Sequence, residues 1–384
     1  MSRLRSTPEV AVAAGGLFLL CWGLVHLGFW SHGALVDWPT YQQYGDAILH
    51  HGLVPYRDFA VEYPPAAIVV FILPAAFHNY ASAFAWEMAA LGLVLIAVVA
   101  TIRREAAFYV ALAPLLAGSL ILSRFDLWPA LLTVAALAVL LREYHRLGWA
   151  LLGAAVAAKL WPLVLVPVVL AWSYRAGRIR AAFAGLVVAA AFFVPFAIVA
   201  PHGLWDSLSG QASRPLQIES LGASLFTAFG HPKVISSHGS QNVAGHGAVA
   251  ALSSLVQVAV LVALWIAFAR GPATGDRLLR YSAAAVCAFI VFGKVLSPQF
   301  LLWLIPLVPL VRGRRGLVAT GMLTLALVLT QVWFPRRYWD YVYGFHHADA
   351  VFARNLALVA LLAVLLWPDR VAQPASMPHS QLGL

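Results

Sequence analysis

Charge is what this sequence has least of. Only 10% of its 384 residues are charged against 62% hydrophobic, and the mean hydropathy is +0.83. Soluble domains carry about 25% charged residues, so a soluble domain is excluded and an all-α polytopic membrane protein is implied. Cysteine is nearly absent. Cys21 and Cys287 both lie in apolar runs, which excludes a disulfide framework and a cysteine-based zinc motif. The sequence has no Walker loop, no glycine-rich turn within a strand–helix unit, no fixed-period repeat and no low-complexity tract. A nucleotide or nucleotide-sugar site therefore has no visible home. No loop is long enough for a separate folded domain. The longest, 201–250, is rich in Gly, His and Ser, and a single membrane domain over 1–384 is expected.

Acidic residues are scarcer than basic ones, 15 against 25, for a net charge of +10. This excess does not point to nucleic acid. The cations sit mostly in short arginine clusters at the ends of apolar runs, where the positive-inside rule puts them. With Arg3 and Arg5 in the cytoplasm, the apolar run 10–30 leads outward. It is about long enough to span and no small-residue cleavage site follows it, so it reads as a retained anchor. The run 66–77 is short and broken by Pro74. It reads as a re-entrant or interfacial helix on the outer side, because as a full span it would flip every later arginine cluster outward. The remaining runs, 106–122 among them, give about twelve spans with both termini in the cytoplasm. Residues 31–79 and 201–250 then lie outside, and 368–384 form a cytoplasmic tail. Sixteen Lys and Arg fall inside and nine outside. Spans of about 12 to 15 residues are short for a bilayer core of about 30 Å, so some must be tilted, paired or shielded.

The polar residues of the outer side concentrate in one stretch, 31–65, which reads SHGALVDWPTYQQYGDAILHHGLVPYRDFAVEYPP. It holds Asp37, Asp46, Asp58 and Glu62, four of the fifteen carboxylates, and the aromatics Trp38, Tyr41, Tyr44, Tyr56, Phe59 and Tyr63. Asp37 ahead of Pro39 predicts a helix over 38–51, capped by the Asp37 side chain and ended at Gly52 with Pro55 beyond. On it Tyr41, Tyr44 and Ile48 share a face with Asp37, while Asp46 looks elsewhere. The aromatics beside Asp37 suit either sugar rings or packing in the membrane interface.

The nine outside cations are Arg57, Arg124, Lys159, Arg214, Lys233, Lys294, Arg336, Arg337 and Arg354. Interfacial snorkelling accounts for such residues in general. Lys159 and Lys294 ask for more, because each stands in an apolar run just before a proline. An ionisable group at that depth is costly unless it faces a polar cavity. Arg124 and Asp126 share a helix end, where a salt bridge between them is the plain expectation. Several cations converging on the outer face would suit an anionic headgroup such as a lipid phosphate. The histidine pairs His50-His51 and His346-His347 point to opposite sides and chelate poorly, and the 31–65 stretch has no Asp-x-Asp spacing. No metal and no cofactor are expected.

Asp37 with Tyr41 and Tyr44, then Gly52-Leu53-Val54-Pro55-Tyr56-Arg57-Asp58-Phe59 and Glu62-Tyr63-Pro64-Pro65, resembles the first outer loop of GT-C glycosyltransferases. Arg124-Phe125-Asp126, Lys159-Leu160-Trp161-Pro162 and Leu296-Ser297-Pro298-Gln299-Phe300 resemble later landmarks of glycosyltransferase family 87, the actinobacterial polyprenyl-phosphate-mannose-dependent enzymes. The resemblance runs over most of the chain, in order. It implies a GT-C-type bundle of about twelve transmembrane helices whose outer loop carries amphipathic helices. It implies Asp37 as catalytic base and Lys159, Lys294 and Arg124 around the donor phosphate. Tyr41, Tyr44, Tyr56, Arg57, Asp58, Glu62, Tyr63, Asp126 and Gln299 would then contact substrate. The implied partners are a polyprenyl-phosphate sugar donor, a lipid or glycan acceptor and membrane lipids. The implied location is the plasma membrane, with the active site on the extracytoplasmic side. The missing acidic pair departs from metal-using GT-C members and argues for a metal-independent site. The 201–250 loop carries no transferable pattern.

Elementary chemistry agrees with that expectation. A phosphate-linked sugar already has a good leaving group, so one carboxylate can take the acceptor proton while cations meet the departing phosphate. Glycosidases, by contrast, need two carboxylates. A transporter or lipid flippase is the alternative, but it would more naturally show inverted repeats and broken helices near the midplane. A ligase moving a whole glycan would share the architecture.

Overall fold

In a computed structural model the described residues are 6–29 and 36–368. Arg3, Arg5, the start of the 31–65 stretch and nearly all of the 368–384 tail lie outside them. Hydrocarbon offers the backbone no partners, so an apolar chain of this kind resolves into helices that satisfy themselves. Among the described residues six helices are long and apolar enough to cross a membrane: Thr7–His26, Tyr80–Ile102, Ile179–Val199, Gly247–Arg270, Gly313–Trp333 and Ala348–Leu366. Local chemistry sets their starts. Ser6 and Glu9 form a capping box on Thr7–His26 (α1), and Asn79 accepts from the Ser82 N–H to open Tyr80–Ile102.

The other expected spans are shorter or interrupted. Leu127–Leu140, Trp161–Arg175 and Pro298–Leu310 are apolar helices below that length. The run 106–122 is not one helix. It divides into Arg104–Ala111, Ala113–Ala117 and Leu120–Ser123, and Gly118 turns the chain at φ +59 between the last two. A side chain on Gly118 would also collide with Gln331.

The helices carry the chain between two ends of a single bundle. At one end arginines close helix termini by donating to main-chain carbonyls. Arg103 reaches Pro309 O at 2.9 Å and also Val311 O. Arg142 reaches Thr101 O at 2.9 Å, and Arg315 reaches Trp367 O at 2.6 Å. Arg175 binds the carbonyls of Ala269 and Gly271. These are the carbonyls a helix C-terminus leaves without partners, and a cation there also opposes the helix dipole.

The opposite end is built from the first long loop and 201–250. Trp38–Leu49 (α2) packs on Val69–Ala75 (α3). The approach is close enough that a Cβ on Gly45 would strike the Phe71 carbonyl. At seven residues α3 is far too short to cross. Trp128 Nε1 donates to Ala66 O at 3.2 Å and the Tyr80 hydroxyl to Phe71 O at 3.2 Å, which tie the 65–75 segment to the ends of its neighbours. The patternless 201–250 loop is ordered. It forms the helices Pro201–Ala212 and Leu221–Phe229 and a hairpin of β1 (Val234–Ser237) and β2 (Ser240–Val243). His238 and Gly239, at φ 53 and 64, make its two-residue turn. That hairpin is the one correction to an all-helical expectation among the described residues.

Candidate active site at the carboxylate-bearing end

Asp37 precedes α2 but does not cap it. Its backbone is helical (φ −101, ψ −13) and its side chain makes no capping bond. The carboxylate instead pairs with Arg124, and the Tyr41 hydroxyl donates to Oδ2 at 3.4 Å. The Arg124 side chain is 8% exposed and that of Asp37 30%. A guanidinium in so dry a place competes better for the carboxylate than the first-turn N–H groups do.

Asp126 is fully buried. It accepts from Lys159 Nζ at 2.6 Å and from Trp303 Nε1 at 2.5 Å. The expected Arg124–Asp126 bridge is thus exchanged for two longer-range pairs, Arg124 with Asp37 and Lys159 with Asp126. Arg124 still lies within the field of Asp126. Lys159 reaches its partner because Ala158 ends the helix His145–Ala158 and Lys159 is extended (φ −160, ψ 142). Its ammonium also sits 4.6 Å from the Phe125 ring and 5.4 Å from that of Trp303. Trp303 is stacked between Trp161 and Phe300, at 4.9 and 4.2 Å.

The aromatics around Asp37 are core rather than surface. Tyr41 is fully buried and stacks on Phe71 at 4.4 Å, with Phe125 edge-on at 5.6 Å. Tyr44 and Tyr56 are buried too, and Tyr56 donates to Tyr63 O at 2.5 Å. A sugar ring cannot lie on Tyr41 in this arrangement; only its hydroxyl serves Asp37. Arg57 and Asp58 hold each other at 2.9 Å, and Asp58 accepts from the Val54 N–H at 2.8 Å. Arg57 and the Val54 N–H hold the Asp58 carboxyl down to about 2. The pair staples the turn in which Tyr56 adopts φ +64. Gln299 accepts from Ser297 within its own motif, at 2.9 Å. Glu62 is exposed beside Gly239 of the hairpin, and its carbonyl accepts from Gln211 at 3.2 Å.

Lys294 Nζ donates to Ala212 O at 2.7 Å, and no carboxylate lies within ion-pair distance of it among the described residues. Partial burial and the nearby Arg214 lower its pKa. Glu219 is 2% exposed, and burial pushes its carboxyl up to about 7 against the pull of Arg354. Its carbonyl accepts from Arg354 at 3.0 Å and from Asn355 at 3.2 Å. Glu219 and Trp303 were not expected at the site. Glu219 is one of two acids, with Asp206, in a loop without pattern, and Trp303 is one of fourteen tryptophans. Only its nearness to the 296–300 motif could have marked Trp303.

The remaining carboxylate of α2, Asp46, lines a separate groove of about 520 Å³ with Gln42, His50, His51 and His78. His50 Nε2 stands 3.8 Å from it. Among the described residues no three His, Cys, Asp or Glu side chains gather as metal ligands.

The bundle, with its long apolar helices, defines an integral membrane protein. Over 94% of its length the chain superposes on 77% of ArnT from Cupriavidus metallidurans bound to undecaprenyl phosphate, with a TM-score of 0.52 and 15% identity. The apo state of that protein gives 0.51, also at 15% identity, over 92% of this chain and 75% of the other. At that identity the likeness shows the fold. No curated protein matches the sequence. The model of glycosyltransferase family 87 matches residues 61–298, more than half of the chain. The chain belongs to glycosyltransferase family 87 and is a membrane glycosyltransferase.

Proposed function

We propose that the protein transfers a single sugar, mannose, from a polyprenyl-phosphate donor to a lipid or glycan acceptor, with inversion. The observation that carries this reading is the pairing of Asp37 with Arg124 at the end where Lys159 and Lys294 also stand. A base and several cations at one place are what displacement from a phosphate-linked sugar requires. The undecaprenyl phosphate of the ArnT structure supports the donor class.

Asp37 takes the acceptor hydroxyl proton as the acceptor oxygen bonds to the anomeric carbon. The bond from that carbon to the phosphate oxygen breaks, and its electron pair leaves with the polyprenyl phosphate. Arg124 stands beside the base, so a donor phosphate that engages it would draw it off Asp37. Lys159, neutralised by Asp126, shapes the floor. The chain makes about twelve passes with both termini in the cytoplasm. The Asp37 end then faces the outside of the plasma membrane, and the reaction needs no metal.

Incubation of purified protein with radiolabelled polyprenyl-phosphate-mannose, a lipid extract and EDTA tests this. Labelled product independent of the chelator is expected. Absence of transfer, or transfer that requires added manganese or magnesium, would reject the reading in whole or in its metal-free part.

A further inference from the structure

The 201–250 loop brings a cation to the same site. Arg214 follows the helix Pro201–Ala212 and is partly buried, and its Nε is enclosed without a hydrogen-bond partner among the described residues. It stands within electrostatic reach of both Lys159 and Lys294, and of Glu62 and Glu219. Like charges held together raise the free energy of the empty site and lower it once an anion arrives.

The backbone that carries Arg214 is fixed on three sides. Gln217 N donates to Lys294 O at 2.9 Å. Ile218 N donates to Gln241 O at 3.0 Å and Val243 N to Leu216 O at 2.9 Å, which join the segment to the hairpin. The Tyr341 hydroxyl donates to Ile218 O at 2.8 Å, and Arg354 and Asn355 hold the Glu219 carbonyl from the helix Ala348–Leu366. Lys159 is spent on Asp126 and Arg124 touches Asp37, whereas Lys294 has, among the described residues, the Ala212 carbonyl alone.

We propose that Arg214 is a further donor-binding residue, which joins Lys294 on the oxygens of the leaving phosphate. This rests on the polyprenyl-phosphate reading of the site. The donor phosphodiester carries one negative charge, and the phosphomonoester that leaves carries nearly two. A guanidinium offering two parallel N–H groups therefore gains as the sugar–phosphate bond breaks, and its contribution is larger in the transition state than in the bound donor. The acceptor proton still goes to Asp37, and the bond electrons go to the phosphate that Arg214 meets.

The test compares undecaprenyl phosphate and undecaprenol as probes, read by tryptophan fluorescence in detergent. Arg214→Met is expected to weaken the phosphate by at least about tenfold and leave undecaprenol unchanged. Arg214→Lys should restore part of the loss, and Lys233→Met, in the same loop, should bind like wild type. In transfer assays kcat should fall more than KM rises for Arg214→Met, with the unfolding midpoint held. Wild-type protein that prefers the phosphate, with Arg214→Met binding it equally well, would overturn this assignment. Wild-type protein that fails to distinguish the two probes would overturn the phosphate reading of the whole site, and the Arg214 assignment with it.

Discussion

Four arginines at one end of the bundle and two at the other meet different partners. At the end bearing Arg103, Arg142, Arg175 and Arg315, guanidinium groups are matched to main-chain carbonyls of neighbouring helix termini. At the other end Arg124 meets a carboxylate, and Arg214 has an enclosed Nε without a hydrogen-bond partner among the described residues. The first end is closed by its own backbone. The second keeps charge in a poorly solvated place with donors still open, an arrangement that costs stability and is suited to a ligand. The comparison can be broken by substitutions at either end.

The largest stability effect is expected at Asp126. Asp126→Asn leaves the Lys159 charge without its counter-ion in a buried site, which should cost about 3–5 kcal/mol. Thermal unfolding in detergent reads this. A loss under 1 kcal/mol, on the order of a surface pair, would show that water reaches the pair. Next is Lys294→Met, which keeps the stem and removes the charge. It should weaken undecaprenyl phosphate by about tenfold at normal expression, as for one charge-assisted contact. Wild-type affinity would leave Lys294 a snorkelling residue.

At the closed end, Arg175→Met should cost about 1–3 kcal/mol of stability with transfer per folded molecule unchanged. A drop in turnover there would erase the division between the ends. The smallest effect concerns pH. Burial raises the Glu219 carboxyl to about 7, so the folded protein holds its proton more tightly than the unfolded chain does. Stability from this group is present below about pH 4.3, the unfolded carboxyl range, and declines as pH rises toward 7. Unfolding midpoints across pH 4.5 to 7.5 should therefore fall less in Glu219→Gln than in wild type, and parallel curves would refute the assignment.

The helical membrane character was readable from sequence because it rests on composition. Apolar runs are local features, and the run 66–77, short in the sequence, holds a helix of only seven residues, Val69–Ala75. The partners were not readable. Asp37 and Arg124 are 87 positions apart and Asp126 and Lys159 33 apart, while Arg124 and Asp126 are neighbours in sequence. Proximity along the chain favoured the wrong pairing; burial decided the observed one. The cap expected of Asp37 failed for the same reason, since a local N–H lost to a distant guanidinium. The order in 201–250 was hidden because its contacts run to Lys294, Tyr341 and Arg354, not along its own pattern.

The central claim is that Asp37 is the base and not only the ion-pair partner of Arg124. Its side chain makes no capping bond, so Asp37→Asn removes no cap and keeps the shape, but it takes a carboxylate from the buried Arg124, so transfer is read per folded molecule. The direct measurement is transfer from radiolabelled polyprenyl-phosphate-mannose by this variant, beside its affinity for undecaprenyl phosphate. Transfer is expected to fall by at least about a hundredfold. Donor affinity should be kept or strengthened, because Arg124 is released from its carboxylate. Asp46→Asn, in the separate groove, should retain most of its turnover. An Asp37→Asn enzyme that transfers at near the wild-type rate would contradict the account.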